Sequence, residues 1–169
     1  MKIIRMALPV CIVALLFLLP CLAGNKKAFT ATETLCYSCV CADCSQGTAT
    51  ALPGGDLQLR NREAIYFYAA SDPRAAGYFR VSINTDTDLA FNGTLWGTFF
   101  SCDSQGMRIV DGWEGTWNGE IFGVFPSNWI NKVAGHGTGA NSGLTMEATT
   151  VYGDSLTGTV LGVIQDSNK

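Results

Sequence analysis

Trp113, Gly115, Trp117 and Gly119 stand two residues apart, with Glu114, Thr116, Asn118 and Glu120 between them. No other run limits the folds open to this chain so strongly. A repeat of two is the repeat of a β-strand, so the tryptophans and glycines fall on one face and the polar residues on the other. Large rings beside glycines suit a strand that packs closely against another backbone. The expectation is a strand with its aromatic face turned inward and glycines making room for the indoles.

The alternation recurs along the chain. Leu57, Leu59, Ile65, Phe67 and Ala69 alternate with Arg60, Arg62, Tyr66 and Tyr68, and a slip near Asn61 reads as a bulge or a turn. Phe79, Val81 and Ile83 alternate with Tyr78, Arg80 and Ser82. Further strands are expected over Leu95 to Cys102, Met107 to Val110, Trp129 to Val133, Leu144 to Thr150, and up to Ile164. Pro53-Gly54-Gly55, Ser71-Asp72-Pro73-Arg74, Asn84 to Gly93 and Gly135 to Gly139 read as turns or loops. Short strands roughly ten residues apart predict an all-β fold. We expect a single antiparallel β-barrel of about eight strands over residues 52–169, with a β-sandwich as the alternative, because alternation does not say whether a sheet closes. Closure removes edges that a sheet rich in Thr, Val and aromatics would leave open to aggregation.

Residues 1–24 read as a secretory signal peptide. Lys2 and Arg5 precede an apolar run from Ala7 to Leu19, and Pro20-Cys21-Leu22-Ala23-Gly24 supplies a breaker and small residues. The run is shorter than the ~20 residues of a spanning helix. The alternative is a lipid anchor at Cys21, for which Pro20 is a poor neighbour. The protein is thus expected to be secreted or periplasmic, with no transmembrane segment in its mature part. The whole chain carries 11 Lys and Arg against 14 Asp and Glu, and loss of Lys2 and Arg5 makes it more acidic. No basic stripe is available to follow a phosphate backbone, which argues against nucleic acid as a partner.

Ser71-Asp72-Pro73-Arg74, Trp96-Gly97-Thr98-Phe99, Trp113-Glu114-Gly115-Thr116-Trp117, Gly135-His136-Gly137-Thr138-Gly139 and Gly143-Leu144 together resemble a family of small secreted proteins with no assigned function. The likeness covers about Leu52 to Ile164. More distantly, the glycines followed by two closing strands are similar to the barrel of allene oxide cyclases and dirigent proteins, which bind apolar molecules inside eight strands. That similarity implies a fold and carries no catalytic residue over to this chain.

Residues 25–51 form a Cys-rich segment before the barrel. Cys36, Cys39, Cys41 and Cys44 have a spacing at which four thiolates can wrap Zn or Cu(I). In an exported protein disulfides are the default, and the sequence does not choose among the pairings. Cys102 leaves an odd number. It is a free buried thiol, a partner for one of the four, or the site of an intermolecular bond. His136 is the sole histidine, and with no nucleophile elbow or second histidine in sight it reads as structural rather than as a general base. The glycines around it lack the following helix of a phosphate loop. Glu114 and Glu120 lie opposite the tryptophan face and read as solvated rather than as a glycosidase pair.

No catalytic residue and no cofactor is therefore expected. Trp96, Trp113, Trp117 and Met146 are the side chains expected to line a site for a small apolar ligand or a partner. The leading expectation is a non-catalytic secreted barrel. One alternative is a cyclase or isomerase whose barrel excludes water, which requires at least one ionisable group facing a cavity. The other is a structural cell-surface protein without a ligand.

Overall fold

The computed structural model describes residues 26–123, 128–153 and 157–167, and the expected signal peptide with Cys21 lies outside them. Nine strands occur among the described residues: β1 (Lys26–Leu35), β2 (Gln46–Ala51), β3 (Leu57–Ala70), β4 (Gly77–Thr87), β5 (Gly93–Cys102), β6 (Gly112–Phe122), β7 (Asn128–Thr138), β8 (Leu144–Tyr152) and β9 (Thr157–Asp166). Neighbours in sequence pair antiparallel from β2 through β9, and β1 pairs with both β9 and β3. That second pairing closes an eight-stranded antiparallel barrel and leaves β2 outside it. The expected barrel is therefore the observed one, and the sandwich is not.

The barrel begins earlier than residue 52. Phe29, Ala31 and Glu33 of β1 are buried while Thr30 and Thr32 are exposed, so a Thr- and Ala-rich run inside the Cys-rich segment supplies the closing strand. β3 makes closure possible by changing its partner along one edge. Its first half pairs with β2, from Leu57 to Arg62, and its second half pairs with β1, from Tyr66 to Ala70. Asn61 sits just before the change with φ +55°, and the register with β4 shifts between Leu59 and Arg62. The slip near Asn61 is a bulge, which bends the strand where the partners exchange.

The glycines pack opposite the large inward side chains. Trp117 pairs with Gly97, Phe99 with Gly115, Trp113 with Gly137, Phe29 with Gly162 and Tyr152 with Gly158. An eight-stranded barrel is only just wide enough for its own side chains, and a ring on one strand fits because its neighbour presents no Cβ. At Gly97 the approach is closest: a Cβ there would stand 1.8 Å from the carbonyl oxygen of Ser82. The Trp117 indole crosses this gap and donates from Nε1 to the same oxygen at 3.1 Å.

Three local expectations change. Gly135 to Thr138 is not a bend; these residues extend β7 and pair with β6, Gly135 and His136 with β8 as well. A Cβ at Gly135 would press on Phe99 Cζ at 2.8 Å. Asn84 to Thr87 belongs to β4 rather than to the loop that follows. Met107 to Val110 does not form a strand; Arg108 makes an isolated bridge back to Cys102.

One end of the barrel is plugged by a single 3₁₀ turn, Pro73–Ala75, in which Ala75 is fully buried. Asp72 caps it, receiving the Arg74 backbone N–H at 3.0 Å and the Arg74 side chain at 2.7 and 3.0 Å. Lys27 of β1 reaches the same carboxylate at 3.0 Å. Among the described residues no helix is long and apolar enough to cross a membrane.

Candidate functional site

Inside the barrel the apolar lining is broken at one corner. Glu33 falls on the inward face of β1 by simple alternation and is only 6% exposed. Register places Tyr68 beside it on β3 and Gly158 beside it on β9. The Tyr68 hydroxyl donates to Glu33 Oε2 at 2.9 Å. On the other side the glycine leaves space that Thr150 and the Tyr152 ring occupy, with atoms 2.6–2.8 Å from where a Cβ at 158 would be.

Burial raises the Glu33 carboxyl above the ordinary carboxylate range, against a smaller opposing pull from the Thr150, Tyr68 and Tyr152 hydroxyls. Burial also pushes the Tyr66, Tyr68 and Tyr152 hydroxyls upward, with the nearby Glu33 adding to it. All three remain donors at neutral pH. Thr150 and Tyr152 lie close enough to favour the ionised carboxyl, yet neither hydroxyl closes a well-formed hydrogen bond. Asn131 Oδ1 is likewise buried without a partner among the described residues.

Glu33, Tyr66, Tyr68 and Asn131 border a cavity of about 40 Å³ whose remaining wall is largely apolar and includes Phe79, Phe99, Trp117, Trp129 and Met146. A space of that size holds a few water molecules. The buried side chains around it form one continuous core. Trp129 and Tyr152 pack edge to face at 4.6 Å between centroids, as do Tyr68 and Phe79 at 4.8 Å.

The four side chains expected at a site divide three ways. Trp117 and Met146 line the cavity. Trp113, 1% exposed, lies in the core and donates from Nε1 to the Arg74 carbonyl at 2.7 Å, so it secures the end plug. Trp96 is on the outer face, because Leu95 and Phe99 take the inward positions of β5. Arg60 stacks over its ring at 5.0 Å, and Trp96 borders an open depression of about 1140 Å³ with Asn84, Asn118 and Lys132.

His136 also faces outward. Its Nε2 lies 3.0 Å from Glu114 Oε1, and Arg108 bonds the other oxygen of that carboxylate. Glu114 is thus the centre of an outer-face ion cluster, held below its ordinary range by Arg108 and then His136. Glu120 is exposed. The cysteines pair as Cys36–Cys39 and Cys41–Cys44, so they do not offer the thiolates that a metal requires, and Cys102 is free and buried.

Glu33, Tyr66, Tyr68 and Asn131 are not among the residues expected from sequence. Phe29, Ala31 and Leu35 alternating with Thr30, Thr32 and Thr34 is the pattern that places Glu33 inside, and Trp129, Asn131 and Val133 do the same for Asn131. No protein-family model, curated protein or solved structure matches the chain.

Proposed function

We propose that the protein is a secreted, non-catalytic binding barrel that takes a small, mainly apolar molecule into its interior and holds its one polar end at Glu33. The observation that carries this reading is that the buried Glu33 carboxyl borders a cavity with an otherwise largely apolar wall, which Asn131, its amide oxygen unpartnered among the described residues, borders too. The Tyr66 hydroxyl, a donor, borders the same cavity, so the matching group is one that can both donate and accept, a hydroxyl or an amine. Few convergent polar groups in an apolar enclosure are the usual make-up of a small-molecule site. A guest of more than a few heavy atoms requires side chains to move, and Met146, unbranched with three rotatable bonds, is suited to do so. Export is supported by the two disulfides, which persist outside reducing compartments, and by the signal-like leader.

Native mass spectrometry of the protein purified from its own host tests this. The expected result is a bound organic mass that is lost in Glu33→Gln while the barrel remains folded. A bare wild-type protein whose tryptophan fluorescence is unmoved by a panel of small apolar alcohols and amines overturns it.

A second reading has a specific observation in its favour. A cyclase or isomerase needs an ionisable group in a water-excluding barrel, and Glu33, with its raised pKa, meets that requirement. The distant likeness to allene oxide cyclases and dirigent proteins is compatible with it at the level of fold. The two readings part on whether the bound compound is released changed.

A further inference from the structure

The loop between β1 and β2 holds four cysteines whose bonds stabilise the fold little. Each disulfide joins residues three apart, and the effect of a cross-link on the unfolded chain grows with the loop it closes. Each also spans a turn that its backbone already closes, Cys39 N–H to the Cys36 carbonyl at 3.4 Å and Cys44 N–H to the Cys41 carbonyl at 3.3 Å.

Other groups hold the loop on the barrel. The Cys36 N–H donates to the Ile65 carbonyl at 2.9 Å, and the Glu63 N–H to the Ser45 carbonyl at 2.8 Å. Ser45 N–H donates to Glu63 Oε2 at 2.9 Å. Arg80 grips Asp43 through its carboxylate at 2.9 Å and its carbonyl at 3.2 Å. Neither disulfide ties one strand to another, so both can open while the loop stays in place. All four cysteines are partly accessible, and the flanking Tyr37 and Val40 are 69% and 59% exposed. Cys102 is buried away from solvent.

We propose that this loop is a thiol–disulfide exchange site, with a thiol as its co-reactant. The two bonds differ in their neighbours. Cys41 Sγ lies 3.7 Å from Asp43 Oδ1, an acceptor already held by Arg80 that offers a forming thiolate no donor. Cys36 Sγ lies 3.7 Å from Ser38 Oγ, whose hydroxyl can donate to one. Cys36–Cys39 therefore opens first, with attack on Cys39 and departure of Cys36. The incoming thiolate sulfur bonds to Cys39 Sγ as the Cys39–Cys36 bond breaks, and the electron pair stays on Cys36 Sγ, which takes a proton from water. A second thiolate attacks the co-reactant's sulfur in that mixed disulfide, releasing Cys39 as a thiolate that is protonated in turn. Two thiols have become one disulfide, and two electrons have passed to the protein. The reverse sequence oxidises a dithiol partner.

The test uses the full secreted protein with two thiols in separate arms, reduced glutathione and the reduced dithiol protein thioredoxin. Samples are quenched in acid, alkylated after return to neutral pH, and mapped by mass spectrometry, with circular dichroism recorded in parallel. The expected result is exchange at Cys36–Cys39 faster than the same thiol exchanges with oxidised glutathione, a mixed disulfide on Cys39, and an unchanged barrel spectrum. Reaction with thioredoxin alone identifies a protein partner, and reaction with both identifies a general thiol. Ser38→Ala should slow opening of Cys36–Cys39 on the order of threefold, the effect of raising the leaving thiol's pKa by about one unit, and leave Cys41–Cys44 unchanged. Exchange no faster than with oxidised glutathione in both arms overturns the proposal. So does a barrel that unfolds when the loop is reduced, which makes the bonds structural staples. Neither outcome bears on ligand binding at Glu33.

Discussion

The Tyr68 hydroxyl donates to Glu33 at 2.9 Å across the seam where β3 and β1 close the barrel. This side-chain bond adds to the backbone pairing of β1 with β3 and orients Glu33, the one carboxyl among the described residues that borders the interior cavity. Removing the donor leaves a buried acceptor short of a partner, which costs roughly 1–3 kcal/mol. Tyr68→Phe should lower the denaturation midpoint accordingly, and a variant as stable as wild type means that water or Thr150 replaces the bond without loss.

The carboxyl at position 33 should leave a signature in the pH dependence of stability. Its folded pKa is raised above that of the unfolded chain, so its favourable contribution is complete below the unfolded value, about 4.3, and is lost as pH rises through the folded one. Glu33→Gln does not titrate. The stability of Glu33→Gln relative to wild type should therefore increase from pH 5 to pH 8 in paired urea titrations. A difference that stays constant with pH contradicts a raised pKa at this site.

Asp72 has the opposite sign. Arg74 foremost, and Lys27 with it, holds its carboxyl well below the usual range. That stability is present above the unfolded pKa of about 3.9 and is lost as pH falls towards the folded value. The carboxylate is 1% exposed, but Lys27 is 63% exposed and Arg74 36%, so solvent screening reduces the gain. Asp72→Asn should cost about 1–3 kcal/mol at pH 7, and the cost should shrink below pH 4. Thermal melts of both proteins at pH 3 and pH 7 decide it.

The parts of this fold legible in sequence are those where alternation and glycine coincide. β6 declares itself through Trp113, Gly115, Trp117 and Gly119, and the inward glycines of β9, Gly158 and Gly162, follow the same rule. β1 is hidden because its outer face is threonine and its inner face includes Ala31 and a glutamate, a poor hydrophobic signal beside four cysteines. The Glu33 corner is hidden for the same reason. Tyr68 looks like an outward residue until the bulge at Asn61 exchanges the faces of β3, and its partner lies 35 residues away. His136 lies in a strand that its glycines disguise as a bend.

Two glycines should respond differently to alanine. At Gly97 the added methyl meets the Ser82 backbone at 1.8 Å and Trp117 Nε1 at 2.8 Å, and neither the paired strand nor the indole can withdraw without losing a hydrogen bond. At Gly135 it meets the Phe99 ring edge, which can tilt. Gly97→Ala should cost more than about 3 kcal/mol and Gly135→Ala about 1–2 kcal/mol. Circular dichroism melts rank them, and equal losses contradict this account.

Trp96 and Trp117 stand on opposite faces of the same wall, and their removal separates packing from decoration. Trp117 is 7% exposed, fills the barrel beside the cavity and bonds the Ser82 carbonyl. Trp96 is half-buried on the outer face, where its main fixed partner is the Arg60 guanidinium at 5.0 Å. Truncating a core tryptophan costs about 3–5 kcal/mol, whereas an exposed cation–π contact is worth about 0.5–1 kcal/mol. Trp117→Ala should therefore unfold at much lower denaturant, and Trp96→Ala should melt close to wild type. The pair also reports on where a ligand goes. A compound held at Glu33 should alter the fluorescence of Trp96→Ala as it does wild type, because the cavity indoles remain. If the response disappears in Trp96→Ala, the compound sits in the outer depression beside Asn118 and Lys132, and the interior is only packing.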